Sequence, residues 1–173
     1  MNIMDLISKI RNIPDFPKKG ILFRDITTLL SDKTAFKTAV DSLAAKLKGK
    51  KIEYILCAEA RGFIFGGALA YKLNCGFVPV RKPGKLPASI YRHTYDLEYG
   101  KDALEMHRDA FPKKASVLIL DDLLATGGTA QALVKLAGKL DAKISAIAFL
   151  IELTDLNGRR KLKNLPIYSL IKY

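Results

Sequence analysis

The sequence has few of the residues that form disulfides and metal centres. Its 173 residues include only two cysteines, Cys57 and Cys75, and two histidines. The cysteine spacing fits no zinc-binding pattern, which excludes a zinc site of that kind. We expect Cys57, which ends an apolar run, to be buried as a small hydrophobic residue. No disulfide is expected in a reducing compartment.

Long hydrophobic segments are also missing. The longest apolar runs, at 116–120 and 144–153, are far shorter than the roughly 18 residues that suggest a membrane helix. The first 13 residues alternate charged and apolar side chains and contain no signal-peptide core or cleavage site. We therefore expect a cytoplasmic protein with no membrane partner.

Acidic residues are scarce beside basic ones, at 17 against 29, which gives a formal net charge of +12 at pH 7. Such a charge is compatible with a nucleic-acid partner, with a polyanionic small substrate drawn in by a positive field, or with a solvated lysine-rich surface. The lysines are scattered and no aromatic residues interleave with them. The pattern favours the solvated surface and indicates no specific nucleic-acid partner.

What the sequence contains is an alternation of short apolar strands and helices, in a length that suits one domain. Strands are predicted at 52–57, 76–80, 116–120 and 144–152, and helices at 4–11, 32–47, 63–73 and 129–140. This order implies an α/β fold whose central parallel sheet is flanked by helices. Ligands bind such sheets beyond the carboxyl ends of the strands. The site is therefore sought in the loops after Cys57, Val80, Leu120 and Ile151.

Residues 81–107 interrupt this alternation. The segment begins with charged residues broken by proline and glycine, and it continues with polar and aromatic residues up to about Gly100. An irregular loop of this length inside a compact domain is uncommon and often serves as a lid. We predict a flexible loop that closes over the site.

The strongest motif runs from Asp121 to Thr129 and reads DDLLATGGT. Its adjacent carboxylates, Asp121 and Asp122, suit two vicinal hydroxyls when ionised. The small residues that follow let the backbone approach an anion, and the helix predicted to begin near Thr129 offers free N–H groups to a phosphate. A phosphorylated pentose satisfies both halves. The motif lacks the lysine of a nucleoside triphosphatase and the glycine spacing of a dinucleotide-binding site.

This motif resembles the signature of the type I phosphoribosyltransferases, which bind PRPP (phosphoribosyl pyrophosphate), and its DDLLATGGT form is similar to that of the adenine-specific members. The resemblance implies that Asp121 and Asp122 contact the ribose hydroxyls and assist catalysis. It implies a single domain with a hood, formed by residues 1–30 and the C-terminal tail, a core at about 31–155 and a flexible loop at about 82–100. Five residues would cradle the ribose phosphate: Ala125, Thr126, Gly127, Gly128 and Thr129.

Two further segments, EARGF after the first strand and RKPGKLP after the second, resemble the pyrophosphate-binding regions of the family. A guanidinium group can bind phosphate through two parallel N–H bonds, and clustered cations can neutralise a diphosphate. The resemblance implies that Mg²⁺ enters with PRPP or pyrophosphate, with no metal ligand assigned to the protein. The pyrophosphate-binding residues would be Glu59, Ala60, Arg61, Arg81, Lys82 and Lys85.

The stretch from Asp96 to Gly100 resembles the end of the family's flexible loop. Within it, Glu98 matches the general acid or base for the purine ring nitrogen, and Tyr99 matches a residue of the lid. A carboxylate under a closed lid would have a raised pKa because it loses solvent.

Residues 13–26 resemble the family's base-binding region. The resemblance implies main-chain contacts from Leu22 and Arg24, with Phe23 stacked on the purine and Leu123 on its other face. Adenine presents an amino donor beside a ring acceptor, whereas hypoxanthine presents the reverse. A fixed backbone carbonyl and N–H therefore suit adenine and leave hypoxanthine unpaired.

Taken together, the resemblance implies a homodimeric pentosyltransferase of purine salvage that converts adenine and PRPP into AMP and pyrophosphate. One alternative is a phosphoribosyltransferase for hypoxanthine, guanine or xanthine, which the backbone argument opposes. The other is a PRPP-sensing transcriptional regulator. A regulator would need a DNA-reading module, and no helix-turn-helix fits in the roughly 20 residues before the base-binding segment.

Overall fold

The structure is a computed structural model that describes residues 3–97 and 100–173. Among these residues, no helix is long and apolar enough to cross a membrane. The elements in chain order are α1 (Ile3–Ser8), β1 (Arg11–Ile13), β2 (Phe23–Asp25), α2 (Thr27–Ser31), α3 (Lys33–Lys46), β3 (Tyr54–Ala58), α4 (Gly62–Leu73), β4 (Gly76–Val80), β5 (Ile90–Leu97), β6 (Gly100–His107), β7 (Ser116–Leu124), α5 (Gly128–Gly138), β8 (Lys143–Glu152), two 3-10 helices (Thr154–Leu156 and Gly158–Leu162) and β9 (Ile167–Lys172).

A five-stranded parallel sheet in the order β4-β3-β7-β8-β9 forms the centre of the molecule. Its inner strands are apolar on both faces because both faces are covered. Ile55, Cys57 and Leu118 belong to the core on one face, whereas Leu56 and Ile119 belong to the core on the other. The prediction of a parallel sheet between helices is confirmed, and so is the burial of Cys57, which is a free thiol.

The helices divide between the two faces. α3 and α4 bury Val40, Leu43 and Phe65 in one core, and α5 buries Leu133 in the other. Asp32 caps α3, where its carboxylate accepts the N–H groups of residues 34 and 35 at 2.9 and 3.0 Å. This layering holds the carboxyl ends of β3, β4 and β7 in a line at one edge of the sheet.

Several elements differ from the sequence prediction. β7 continues to Leu124, so Asp121 and Asp122 lie inside a strand, where pairing with β8 extends past the last wholly apolar residue. Residues 90–97 and 100–107 pair as an antiparallel hairpin, β5 with β6, in place of an irregular loop. The C-terminal tail, predicted to belong to the hood, supplies β9 at the edge of the central sheet.

The segment predicted to form the hood contains the short antiparallel pair of β1 and β2. Arg11 donates to Asp25 at 3.0 and 2.7 Å, and Asp25 also accepts the backbone N–H of Thr27 at 2.9 Å. The guanidinium of Arg24 lies 3.7 Å from the ring centroid of Tyr173, so the last residue of the chain joins the hood to the sheet. The helix predicted at 4–11 ends earlier, at Ser8, because Arg11 pairs in β1.

Candidate active site

Asp121 and Asp122 place two adjacent carboxylates near the carboxyl end of β7. The side chain of Asp122 is only 10% exposed, and the backbone N–H of Asp122 donates to Asp121 Oδ1 at 2.9 Å. Burial raises the pKa of Asp121 well above its ordinary value, and the charge of Asp122 raises it further. Burial also raises the pKa of Asp122, against the opposing effect of Arg61. Burial therefore opposes a second negative charge on the pair, and added hydroxyl donors or further cations would favour it.

Arg61 lies just before α4 and faces these carboxylates. Its Nη2 atom is 2.8 Å from Asp122 Oδ2, yet its N–H groups are not aligned with that oxygen, which has no hydrogen bond. Gly62 lets the start of α4 pack closely on β3 and β7, because a Cβ atom there would lie 3.0 Å from both Asp121 Oδ1 and Cys57 Sγ. The Arg61 guanidinium is also 5.1 Å from the ring centroid of Phe23. One arginine thus contacts the predicted ribose site and the predicted base site.

Residues 125–129, here called the phosphate loop, connect β7 to α5. Gly127 has φ +81°, a left-handed conformation that glycine adopts without strain, and no side chain caps the helix that begins at Gly128. The first helical turn consequently presents main-chain N–H groups that the helix itself does not use. This is the small-residue anion site predicted from the motif, with Thr126 exposed at its rim.

Gly158 packs against the phosphate loop, and this role was not predicted from the sequence. A Cβ atom on Gly127 would lie 2.5 Å from the Gly158 carbonyl oxygen, and one on Gly158 would overlap the carbonyl oxygen of Ala125. The neighbouring Arg159 is fixed by two hydrogen bonds to the buried Glu152 at 2.6 and 2.7 Å. The Asn-Gly pair predicts a turn at this point, but nothing local indicates that the turn packs under the phosphate loop.

Residues 81–87, here called the basic loop, fold around the carboxylate of Glu59. That carboxylate accepts the Lys82 backbone N–H at 2.5 Å, Lys85 Nζ at 2.9 Å and Arg81 Nη2 at 3.3 Å. Burial acts to raise the pKa of Glu59, but these donors together lower it below its ordinary value. Lys82 Nζ lies 3.0 Å from Asp102 on β6. Glu59 is thus the common partner of the Arg81 and Lys85 cations, whereas the Lys82 ammonium pairs with Asp102.

The predicted base-binding residues lie on and beside β2. Phe23 is half-buried and packs edge to face on Phe16, with ring centroids 5.1 Å apart. Leu22 precedes the strand and is 46% exposed, while Leu123 is half-buried against the core under α3 and α4. Arg24 pairs across the hood with Asn12. The ring of Phe23 therefore stands beside Arg61 at the entrance of the carboxylate site.

Comparison with known proteins agrees with this geometry. Residues 27–172 match the family described as the phosphoribosyl transferase domain. The adenine phosphoribosyltransferase of Brachyspira hyodysenteriae is 57% identical over 98% of this chain and 100% of its own length. A crystal structure of the enzyme from Thermoanaerobacter pseudethanolicus superposes with a TM-score of 0.97 at 53% identity, covering 99% of this chain and 100% of that one. The chain belongs to the adenine phosphoribosyltransferase family.

A further adenine phosphoribosyltransferase, from Saccharomyces cerevisiae, is 40% identical, covers 97% of each chain and has a TM-score of 0.91. That protein was crystallised with adenine and an imino-altritol bisphosphate.

The loop residues Glu98 and Tyr99, assigned to adenine phosphoribosyltransferase chemistry in the sequence, lie outside the described residues. The two strands of the hairpin pair from Ile90 with His107 as far as Leu97 with Gly100. At its base, Tyr95 is half-buried and its hydroxyl lies 3.4 Å from Asp102 Oδ2. Burial raises the pKa of Tyr95, and a hydrogen bond with Thr129 opposes this. The hairpin therefore contacts the phosphate loop, and the roles of Glu98 and Tyr99 stay predictions.

Proposed function

We propose that the chain transfers the phosphoribosyl group of PRPP to adenine, producing AMP and pyrophosphate in purine salvage. The observation that carries the proposal is the convergence of three groups at one edge of the sheet: a buried carboxylate pair, a main-chain anion site and a cluster of cations. PRPP needs all three, because it carries a ribose diol, a 5-phosphate and a diphosphate. Adenine specificity is supported by the full-length similarity to adenine phosphoribosyltransferases.

The reaction breaks the bond between the anomeric carbon and pyrophosphate and forms a bond from that carbon to a purine ring nitrogen. The bonding electron pair leaves with pyrophosphate, and the proton of the ring nitrogen passes to Glu98. The transition state carries positive charge on the ribose, so Asp121 and Asp122 stabilise it as well as holding the hydroxyls. The lid that contains Tyr99 keeps water away from the reacting carbon.

Substrate binding exchanges the partners of Arg61 in this proposal. Before PRPP arrives, the guanidinium lies 2.8 Å from Asp122 in a poorly aligned contact. A diphosphate offers Arg61 a better partner, because phosphate oxygens match the guanidinium geometry. The ribose hydroxyls then take the place of Arg61 on the carboxylates. The same step turns a buried pair that resists ionisation into a pair stabilised by hydroxyl donors.

The predicted pyrophosphate-binding group of Glu59, Arg61, Arg81, Lys82 and Lys85 divides into two roles in this proposal. The cations contact pyrophosphate. Glu59 does not bind pyrophosphate itself, because its negative charge would repel the ligand. It instead holds the side chains of Arg81 and Lys85 in place through hydrogen bonds. Ala60 offers a main-chain contact only, because it has no polar side chain.

Mg²⁺ is part of the proposal, although the residues that the structure describes contain no group of three or more His, Cys, Asp and Glu side chains that could hold a metal ion. Protein-bound Mg²⁺ often takes one or two carboxylates and completes its shell with substrate phosphates and water. The buried Asp122 Oδ2, which has no hydrogen bond, fits that limited contribution. Asp121 and Asp122 would thus border an ion held mainly by PRPP. The ion would neutralise charge on the departing pyrophosphate.

A homodimer is proposed on the outward face of α4. Ile64 and Tyr71 lie two turns apart on this helix and are 43% and 92% exposed. Gly67 lies between them with open space beyond its Cα, so a second helix can approach closely. Such an apolar strip on a helix suits a second copy of the same chain. A cytoplasmic location stays a prediction from the sequence.

For this interface, we expect Tyr71→Glu to shift the protein from dimer to monomer, because a charge on the strip would be buried without a partner. Size-exclusion chromatography with light scattering measures the change. Lys135→Glu, at an exposed position on α5, is the control and should stay dimeric. An unchanged mass for Tyr71→Glu would place the interface elsewhere.

The proposed activity is tested by measuring AMP and pyrophosphate formed from adenine and PRPP, with Mg²⁺ and with EDTA in its place. We expect equal amounts of both products, and we expect their formation to stop in EDTA. Replacing adenine with hypoxanthine, guanine or xanthine tests the alternative base specificities, with the nucleotide product identified by chromatography. Formation of IMP at a rate equal to that of AMP would contradict the adenine assignment.

A further inference from the structure

Glu105 is a buried acid of the hairpin that the proposed reaction does not yet use. It lies on β6 opposite Arg92 and is 5% exposed. Its backbone forms an isolated antiparallel bridge with Arg81, in which the N–H of each residue donates to the carbonyl of the other at 2.9 and 2.7 Å. The basic loop is therefore attached to the hairpin at the residue where the loop begins.

The side chain of Glu105 holds the same loop at a second point. Its Oε2 atom accepts the backbone N–H of Gly84 at 2.9 Å. Gly84 has φ +78°, so the chain reverses there between Lys82 and Lys85. The nearest cation to the Glu105 carboxylate is Arg92, whose Nη1 is 3.9 Å from Oε1, at the limit of an ion pair. The short contact of this carboxylate is thus with the turn of the basic loop.

Glu59 and Glu105 hold different parts of the basic loop. Glu59 contacts the charged groups of Arg81 and Lys85, whereas Glu105 contacts main-chain N–H groups at both ends of the segment 81–84. Glu59 comes from the end of β3 and Glu105 from the hairpin. The backbone path of the loop therefore depends on a residue of the hairpin, and the direction of its cations depends on a residue at the end of β3.

We propose that Glu105 is a positioning residue for the pyrophosphate moiety of PRPP, an inference that rests on the proposed function. It fixes the turn at Gly84 so that the loop cations are already placed when the diphosphate arrives. Binding then avoids the cost of ordering several side chains and a turn. Adenine binds at the hood and does not depend on this turn, so the effect of Glu105 is confined to one substrate.

The test compares Glu105→Ala with Glu105→Gln, which keeps a side-chain oxygen able to accept the Gly84 N–H. We expect Glu105→Ala to raise the KM for PRPP and the Kd for magnesium pyrophosphate about tenfold, with the KM for adenine changed less than about twofold. Glu105→Gln should restore both PRPP and pyrophosphate binding to within about threefold of wild type. Glu53→Ala is the matched control, because Glu53 also accepts a backbone N–H, from Ser116 at 2.8 Å, at the opposite edge of the sheet.

Calorimetric titration with magnesium pyrophosphate separates this inference from the proposed reaction, because it needs no turnover. Wild-type pyrophosphate binding in Glu105→Ala would overturn the role of Glu105 even if AMP is formed. Equal increases in both KM values would also overturn it, since a general loss of structure would affect both substrates. If Glu105→Ala does not fold, Glu105→Asp decides, because its shorter side chain no longer reaches Gly84 and should weaken PRPP binding selectively.

Discussion

The phosphate loop and the basic loop are two anion sites that are built in different ways. The phosphate loop consists of consecutive residues between a buried strand and a helix, and it offers main-chain N–H groups. The basic loop offers side-chain cations that pair with Glu59 and Asp102, and its turn at Gly84 is held by Glu105, so its supports come from two other segments. We expect the phosphate loop to lose affinity for its anion when its backbone is displaced. The basic loop should lose affinity when a charge or a distant hydrogen bond is removed.

The largest effect is expected at the carboxylates between these loops. Asp121→Asn together with Asp122→Asn should lower kcat/KM by at least ~100-fold, about 2.7 kcal/mol, because the transition state loses its nearby negative charge. Steady-state kinetics with PRPP and adenine measure the loss. Asp141→Asn, a surface change at the other edge of the sheet, is the control. Near-wild-type turnover of the double variant would mean that these carboxylates do not support the reaction.

A smaller effect is expected from displacing the phosphate loop backbone without changing any charge. Gly158→Ala places a Cβ atom against the Ala125 carbonyl, and the loop must shift. We expect the KM for PRPP to rise about thirtyfold, since sub-ångström to 1 Å displacements near a site can cost up to roughly 100-fold. Gly138→Ala, where a Cβ atom meets open space, is the matched control. If both variants bind PRPP like wild type, Gly158 does not support the loop.

The sequence predicts these two sites unequally, for physical reasons. The motif from Asp121 to Thr129 is contiguous, so its strand, loop and helix start could be predicted from local preferences. Its last strand residues were misplaced because pairing with β8, a long-range contact, extends β7. Gly158 and Glu105 were missed because their partners are more than 20 residues away and their own neighbourhoods resemble ordinary turn and strand sequence.

In the rest of the fold, too, elements set by local sequence were predicted and elements set by long-range pairing were not. The longer helices α3, α4 and α5 and the inner strands were predicted from their apolar spacing. The hairpin of β5 and β6 was not, because its strands carry polar residues and stand apart from the central sheet. β9 was placed in the hood, since nothing in a short terminal segment indicates which strand it will pair with.

The smallest effect is expected in the hood, which resembles the basic loop in being fixed by charged groups from separate segments. Hydrogen bonds from the Thr27 backbone and hydroxyl, and then from Arg11, lower the pKa of Asp25 from 3.8 to about 2. A carboxyl group whose pKa is lowered by folding stabilises the folded state at pH values above its unfolded pKa. For Asp25 this stabilisation is lost as the pH falls from about 4 towards 2. The Tm of Asp25→Asn should therefore be lower than that of wild type at pH 7, and the two Tm values should lie closer together at pH 3.

Thermal melts followed by circular dichroism at pH 7 and pH 3 measure this difference. Asp141→Asn is again the control and should melt like wild type at both values. A difference between Asp25→Asn and wild type that stays constant with pH would show that the Asp25 charge does not stabilise the hood.

The most direct test of the account is a crystal structure with PRPP and Mg²⁺ bound. We predict that the 5-phosphate is held by the N–H groups of the phosphate loop and that the ribose hydroxyls contact Asp121 and Asp122. Arg61 should have moved from Asp122 to the diphosphate. A phosphate bound elsewhere, or an Arg61 still paired with Asp122 beside bound PRPP, would contradict the proposed site.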